Sequence, residues 1–298
     1  MDELLAAARS FDKRALGKLI TLVEDPRSQA AGLQLELETR LASASAAVTI
    51  GITGAPGVGK STLVSALCSR LLSLQPELRL AVVAVDPSSS LSGGSLLGDR
   101  TRLGHLPAEQ SRRLFFRSQP SSLELGGLSP RTYVVVQTLV GLADMVVVES
   151  VGVGQSELDI FHLSDLSMLL VGPHSGDAIQ LMKAGIMEMP DLLVAAKSDL
   201  LGPADAARLA RATDSPTLEI SARTGAGLDS LVSAIAETAS PSATARTARA
   251  DYFFRRWVAR TYGSVGLEAA EAEIAPQAGY QPRVSAFEAA FAGWLQSR

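Results

Sequence analysis

The sequence predicts an α/β protein built on a mostly parallel, doubly wound sheet, with helical extensions at both ends. Short apolar runs alternate with helical segments through the middle of the chain, and each run is almost continuously apolar. Continuous apolar strands indicate a sheet that is covered on both faces, and strands that alternate with helices are typical of parallel sheets. We therefore divide the chain into an N-terminal helical extension (1–45), an α/β domain (46–240) and a final segment (241–298) that combines a linker with helices, a candidate dimerisation element.

The elements follow from the spacing of apolar residues. The first 45 residues repeat apolar positions at helical spacing, for example at Leu16, Leu19 and Val23. Seven candidate strands come next, at 47–53, 78–86, 114–118, 144–150, 166–172, 191–199 and 216–221. A helix near 228–238 ends the domain, and the small-residue stretch 239–250 is predicted to be a linker. Helical spacing returns in the tail, where Phe287 and Phe291 share a face with Trp294.

Composition narrows the classes of function. The chain has 298 residues, of which 47% are hydrophobic, and a net charge of −4, which excludes a disordered chain and gives no support to nucleic-acid binding. No apolar run approaches the roughly 20 residues of a membrane span. One cysteine and three scattered histidines disfavour a disulfide framework or a thiol–imidazole metal cluster. The start of the chain lacks the pattern of a signal or transit peptide, so we expect a cytoplasmic protein without a nucleic-acid or membrane partner.

A phosphate-binding loop follows the first strand. The sequence GAPGVGKST fits G-x-x-x-x-G-K-[ST] and lies between a predicted strand and a predicted helix, as the mechanism requires. Its glycines turn backbone N–H groups toward phosphate oxygens, Lys60 brings a charge to the β- and γ-phosphates, and Ser61 offers a hydroxyl to Mg²⁺. The pattern predicts a P-loop NTPase whose phosphate contacts come from Gly54, Ala55, Pro56, Gly57, Val58, Gly59, Lys60, Ser61 and Thr62.

The sequence AKSD at 196–199 indicates which base is bound. GTPases present N-K-x-D after a late strand: the Asp accepts hydrogen bonds from guanine N1–H and the exocyclic amine, and the Lys stem packs on the ring. Here Lys197 and Asp199 are present, whereas Ala196 replaces the Asn and removes one orienting hydrogen bond. The sequence ISARTGAG follows at the spacing of the companion loop, so Ser221, Ala222 and Arg223 are expected to support the base.

Acidic residues at the ends of predicted strands suggest a magnesium site. Asp86 ends the second strand and Glu149 ends the strand that should lie beside the phosphate loop, and ligands bind outside the carboxyl ends of such strands. Carboxylate oxygens suit Mg²⁺. The glycines after Glu149 would allow a loop that responds to the γ-phosphate, and Gln155 in that loop is a candidate for orienting a water molecule.

Together these motifs resemble the methylmalonyl-CoA mutase-associated GTPases, the MeaB family. The resemblance rests on GAPGVGKST, VDPSSSLSGGSLLGDRTR, AKSD and the long run from ESVGVGQSELDIFHLSD to GIMEMPD, and it covers roughly residues 13–230. It implies a GTPase that binds GTP and GDP with Mg²⁺, is usually a homodimer, and gates delivery of adenosylcobalamin to an acyl-CoA mutase that it also protects.

The resemblance also implies roles for particular residues. Catalysis would involve Lys60, Glu149 and Gln155, and Mg²⁺ would be organised by Ser61, Asp86, Asp99 and Glu149. An additional switch that senses the mutase would contain Asp177, Gln180 and Lys183.

Three other interpretations are kept open. A nickel-delivery GTPase for urease or hydrogenase maturation shares the architecture, although the few Cys and His residues disfavour it. An ATP-dependent kinase for lysine, arginine and ornithine transport is disfavoured by Asp199. A nucleotide-locked binding module with negligible turnover would carry the same motifs.

Overall fold

The computed structural model describes residues 1–25, 28–41, 47–86, 106–120, 128–150, 156–173, 189–202, 213–273 and 279–296. The chain divides into two compact units. A helical unit comprises residues 1–46, 129–142 and 241–298, and an α/β unit comprises residues 47–128 and 143–240. The helical extensions at the two ends of the chain therefore belong to one unit, together with a helix from the middle of the sequence.

Seven strands form the sheet of the α/β unit: β1 Val48–Gly54, β2 Leu80–Asp86, β3 Leu114–Pro120, β4 Met145–Glu149, β5 Leu166–Val171, β6 Leu192–Ala196 and β7 Thr217–Ile220. Their order is β3-β2-β4-β1-β5-β6-β7. Each neighbouring pair is parallel. All seven sequence-predicted strands are thus confirmed, and the sheet formed by these strands is parallel throughout.

Ten helices accompany the strands in the described part of the chain: α1 Asp2–Arg9, α2 Lys13–Glu24, α3 Ser28–Leu41, α4 Lys60–Leu74, α5 Ala108–Arg112, α6 Pro130–Val140, α7 Ser156–Leu163, α8 Leu228–Thr238, α9 Ala243–Glu273 and α10 Tyr280–Gln296. Helix α9 is interrupted at Gly263, which has φ 63° and ψ −154°. A 3₁₀ turn, Ser198–Leu200, follows β6.

The core of the α/β unit explains why the strand sequences are continuously apolar. Strands β4, β5 and β6 are buried at every position. Helix α4 turns Leu63, Leu67 and Leu71 into the same core, each at most 2% exposed. A fully buried leucine contributes about 1.5–3 kcal/mol, so this face of α4 fixes the helix that begins at the phosphate loop.

Aspartates fix the amino edge of the sheet. Each accepts a hydrogen bond from a backbone N–H at the start of a neighbouring strand: Asp144 from Arg79 at 2.8 Å, Asp165 from Thr49 at 2.8 Å and Asp191 from Ser167 at 2.7 Å. These bonds pair backbone donors that would otherwise be left at strand ends. They pin the register from the edge opposite to the one where ligands bind in parallel sheets.

The helical unit is held together by aromatic and capping contacts. Tyr133 of α6 stacks on Phe253 of α9, with ring centroids 4.5 Å apart, and meets Tyr280 edge-on at 5.2 Å. The carboxylate of Glu38 accepts hydrogen bonds from the backbone N–H groups of Tyr280 and Gln281, both at 2.8 Å, and so caps the start of α10. Burial raises the pKa of Glu38, because these two hydrogen bonds only partly offset the loss of solvent.

The structure corrects the predicted linker at 239–250. Only residues 239–242 lie outside helices, and α9 begins at Ala243. Arg249 is 7% exposed and Ala250 is 2% exposed, so this stretch packs within the helical unit. The prediction was wrong because small residues between polar ones carry little apolar periodicity, although they are compatible with a helix.

Within the described residues, no helix is both long and apolar enough to cross a membrane.

Candidate nucleotide site

The phosphate loop connects β1 to α4 as the sequence predicts. Gly54, Gly57 and Gly59 all have positive φ, at 146°, 75° and 112°. A Cβ on Gly54 would lie 2.4 Å from the backbone oxygen of Leu170 in β5, so this position excludes any side chain. Gly59 precedes α4 and brings no side chain to cap the first N–H groups of the helix. The loop therefore presents uncapped backbone donors at a helix N-terminus, a geometry that suits phosphate.

Lys60 is held by the loop that it follows. Its side chain is only 7% exposed, and its Nζ donates to the backbone oxygens of Gly54 at 2.6 Å and Ala55 at 3.1 Å. Two carbonyl acceptors compensate part of the cost of burying the ammonium. The cation is thereby fixed at the mouth of the loop, where phosphate charge would be bound.

Ser61 and Glu149 meet beside the loop. Strand β4 pairs with β1 so that Glu149 lies opposite Ile52, and the Ser61 hydroxyl donates to Glu149 Oε1 at 2.6 Å. Both groups are hard oxygen donors, the chemistry that Mg²⁺ prefers, and Glu149 is 5% exposed. These two residues fit a magnesium ion, and phosphate and water would supply its remaining ligands. In the part of the chain that the structure describes, no three His, Cys, Asp or Glu side chains form a metal-ligating group.

A cavity with a volume of about 260 Å³ adjoins the phosphate loop. Lys197 forms one wall, and its Nζ donates to the backbone oxygen of Gly57 at 2.8 Å. Lys197 itself has a left-handed backbone conformation, φ 57° and ψ 45°, which is uncommon for a residue with a side chain and frequent at functional sites. The lining residues are Val58, Gly59, Thr62, Leu63, Val194, Ala196, Lys197, Asp199, Leu200, Ile220, Ser221, Ala222 and Arg223.

Asp199 lies at the rim of this cavity, in the 3₁₀ turn after β6. Its Oδ2 accepts two hydrogen bonds from Arg223, from Nε at 3.2 Å and from Nη2 at 2.6 Å. The Ser221 hydroxyl and then the Arg223 guanidinium hold the pKa of Asp199 below its usual value. The carboxylate is therefore ionised at neutral pH and acts as a hydrogen-bond acceptor.

The structure brings together most of the sequence-predicted site. The nine loop residues, Glu149, Lys197, Asp199 and the 221–223 segment share the carboxyl edge of the sheet. Asp86 ends β2 at that edge, but its side chain is not among those that the structure describes, so its role as a magnesium ligand remains a prediction. Gln155, Asp99, Asp177, Gln180 and Lys183 lie outside the described residues, so their assigned roles remain predictions.

Sequence reasoning missed several residues of the site. Leu200, at the cavity mouth, is 61% exposed, and Val194 and Ile220 line the interior. A hydroxyl pair also lies at the ends of β1 and β4, where Thr53 and Ser150 are 2.7 Å apart. Leu200 could have been singled out because it directly follows Asp199, whereas the interior positions look like ordinary strand residues.

Cys68 is a packing residue. It is fully buried in α4, and burial, followed by the negative charge of Glu149, raises its pKa to about 12. A thiol with such a pKa stays protonated at neutral pH and is a poor nucleophile.

A parallel sheet whose central strand leads into a Gly-rich loop, a buried lysine and an adjoining acid defines a P-loop nucleotide-binding protein. The family described as "Methylmalonyl Co-A mutase-associated GTPase MeaB" matches residues 16–260, and the chain belongs to this family. The predicted family is thereby confirmed, and the parallel seven-stranded sheet confirms the predicted fold class. The description of the family names its members as GTPases.

Relatives agree with this placement. "Probable GTPase Rv1496" of Mycobacterium tuberculosis is 41% identical over 204 residues, which cover 67% of this chain and 59% of that protein. "Methylmalonic aciduria type A homolog, mitochondrial" of Caenorhabditis elegans is 37% identical over 211 residues, which cover 67% of this chain and 52% of the relative. The match thus spans between half and three fifths of the length of these relatives.

One solved structure shows the same fold. The "LAO/AO transport system kinase" superposes with a TM-score of 0.62 over 95% of this chain and 96% of its own, at 24% sequence identity.

Proposed function

We propose that this protein binds and hydrolyses GTP with Mg²⁺ and that it gates cofactor delivery to an adenosylcobalamin-dependent acyl-CoA mutase and protects that enzyme. The observation that best supports this proposal is that two sites lie next to each other. One is a phosphate loop with a buried lysine, and the other is a cavity of about 260 Å³ with an ionised aspartate at its rim. The family described as mutase-associated supports the partner.

Guanine fits the cavity better than adenine because of its donors. An ionised Asp199 only accepts hydrogen bonds, and guanine offers two adjacent donors, N1–H and the 2-amino group. Adenine has an acceptor at N1 and no amine at C2, so a carboxylate there would face a lone pair. The Lys197 stem would cover one face of the ring while its Nζ keeps the bond to the Gly57 oxygen.

The phosphates would lie against the uncapped start of α4, with Lys60 neutralising charge on the β- and γ-oxygens. Ser61 would exchange its hydrogen bond to Glu149 for a place beside the metal, and Glu149 would accept from a metal-bound water or bind the metal itself. Magnesium, when bound with the nucleotide, neutralises charge that develops on the phosphate oxygens. Slow turnover of the isolated protein is expected when a partner completes the site.

The nucleotide part of the proposal is tested by titration and turnover with GTP and ATP. We expect GTP to bind and to be hydrolysed in the presence of Mg²⁺, and Lys60→Ala to abolish triphosphate binding because the variant lacks the ammonium that would neutralise charge on the β- and γ-phosphates. Unchanged GTP affinity in Lys60→Ala would overturn the phosphate-loop assignment, and equal affinity for ATP would remove the role given to Asp199.

The partner part is tested separately. The protein, loaded with a non-hydrolysable GTP analogue, is used to capture proteins from a lysate of its source organism, with the GDP-loaded protein and Lys60→Ala as controls. Recovery of a cobalamin-dependent mutase only with the triphosphate form supports the proposal. Recovery of a urease or hydrogenase subunit instead would favour nickel delivery, the alternative with the same architecture.

A mutase that is captured should also report on gating and on dimerisation. In gel filtration we expect a homodimer of this chain to elute with the mutase in the triphosphate state. Transfer of adenosylcobalamin, followed by its absorbance spectrum, should then depend on the nucleotide. Transfer at the same rate with GTP, GDP and no nucleotide would contradict gating.

A further inference from the structure

Arg223 has an unusual position for a residue of a base pocket. It lines the cavity, yet 76% of its side chain is exposed, and both of its hydrogen bonds go to Asp199 Oδ2. The guanidinium thus contacts the carboxylate that would read the base. Two donors on one rigid guanidinium hold this oxygen from a fixed direction, which a single ammonium on a flexible stem cannot do.

The carboxylate needs this support because its other expected support is absent. In the N-K-x-D pattern an Asn amide orients the base-binding segment, and here the position is Ala196, at the end of β6 and 6% exposed. A methyl group donates no hydrogen bond. Asp199 is instead braced from the opposite loop by the Ser221 hydroxyl and the Arg223 guanidinium.

We propose that Arg223 is a positioning residue for guanine specificity, which anchors Oδ2 of the Asp199 carboxylate, restricts rotation of that group and stands in for the amide that Ala196 lacks. Both carboxylate oxygens must lie in the plane of guanine to accept from N1–H and the 2-amino group together. A carboxylate that rotates can satisfy one donor but not both. This inference rests on the proposed role of Asp199 as the reader of the base.

The test compares nucleotides that differ only in the base edge. GDP, IDP and ADP are titrated by calorimetry against wild type, Arg223→Ala and Arg223→Lys. IDP keeps N1–H but lacks the 2-amino group, and ADP offers neither donor. We expect Arg223→Ala to weaken GDP binding about two- to fivefold, the range of an exposed ion pair, to weaken IDP binding less and to leave ADP binding unchanged. The ratio of GDP affinity to IDP affinity therefore falls in Arg223→Ala, and the ratio for Arg223→Lys should lie between those of wild type and Arg223→Ala.

Arg70→Ala is the matched control. It removes another exposed Arg–Asp pair of the α/β unit, in which Arg70 Nε donates to Asp229 at 2.5 Å, and neither of its residues lines the cavity. We expect the GDP-to-IDP ratio of this variant to equal that of wild type. An equal fall in both variants would mean that the loss of a surface ion pair, rather than positioning of Asp199, weakens binding.

The outcomes separate this inference from the proposal beneath it. If wild type does not prefer GDP to ADP, the assignment of Asp199 itself fails. If wild type prefers GDP but Arg223→Ala leaves the GDP-to-IDP ratio unchanged, the positioning role is wrong. Equal weakening of GDP, IDP and ADP would also contradict it, because it would mean that Arg223 contacts the nucleotide or supports the loop as a whole.

Two further readouts would not move if Arg223 had a merely structural role. Removal of Arg223 raises the pKa of Asp199 toward its usual value, so GDP affinity should begin to fall at a higher pH than in wild type as the solution is acidified. In the double variant Ala196→Asn/Arg223→Ala, the GDP-to-IDP ratio should recover toward that of wild type. A double variant that recovers nothing would contradict the idea that Arg223 replaces the missing amide.

Discussion

Gly54→Ala tests whether close contact with strand β5 requires a glycine at the start of the phosphate loop. A residue with a side chain at φ 146° loses about 1–2 kcal/mol of backbone energy relative to glycine. In addition, the new Cβ would lie 2.4 Å from the Leu170 oxygen, which belongs to a buried strand and cannot move away freely. Overpacking of this kind costs about 1–3 kcal/mol more. We expect a total loss of about 2–5 kcal/mol in the free energy of unfolding.

Gly57→Ala is the matched control for this variant. Gly57 also has a positive φ, 75°, but a Cβ there would meet no atom within 4 Å. Gly57→Ala should therefore lower the free energy of unfolding only by the cost of the strained backbone, about 1–2 kcal/mol. A difference of about 2 kcal/mol between the variants corresponds to about 4–8 °C in melting temperature for a domain of this size. Thermal unfolding without nucleotide measures it, and equal melting temperatures would refute the steric argument.

Three other predictions concern the carboxylates of Glu149, Asp191 and Asp199. Glu149→Ala removes the acceptor of the Ser61 hydroxyl and should lower Mg²⁺-dependent hydrolysis about 10- to 100-fold while GDP binding changes little; equal losses in both would indicate a folding role. Asp191→Ala leaves the buried Ser167 N–H without its 2.7 Å hydrogen-bond partner and should lower the free energy of unfolding by about 1–3 kcal/mol, with normal nucleotide affinity in the folded protein. Urea unfolding measures this, and an unchanged midpoint would mean that this hydrogen bond does not stabilise the sheet. Because the pKa of Asp199 is lowered, GDP affinity should persist through mildly acidic pH and fall only when the pH drops below the usual pKa range of a carboxylate. Calorimetric titration with GDP at a series of pH values measures this. A fall in GDP affinity near neutral pH would contradict an ionised Asp199.

Most of the architecture was predictable because its signals are local. Buried parallel strands are continuously apolar, and all seven were located from this property alone, with the largest differences at 191–199, where the strand ends at Ala196. The phosphate loop was equally accessible, since its glycines and Lys60 have fixed spacing. The structure added the Leu170 oxygen as the steric reason for Gly54.

What could not be predicted depends on contacts between distant parts of the chain. The helical unit joins residues 1–46, 129–142 and 241–298, and no local pattern reveals that Tyr133 stacks on Phe253. The same holds for the site, where Ser61 meets Glu149 and Arg223 meets Asp199. These partners were each identified as site residues, but the hydrogen bonds between them follow only from the fold.

The central claim is that Asp199 selects guanine for a nucleotide held by the phosphate loop, and the most direct test is a calorimetric titration of Asp199→Asn with GTP and XTP. Xanthine carries a carbonyl in place of the 2-amino group, so an asparagine amide can donate to it and still accept from N1–H. We expect wild type to bind GTP and not XTP, and Asp199→Asn to bind XTP and lose GTP. A variant that keeps the affinity of wild type for GTP and gains none for XTP would contradict the account.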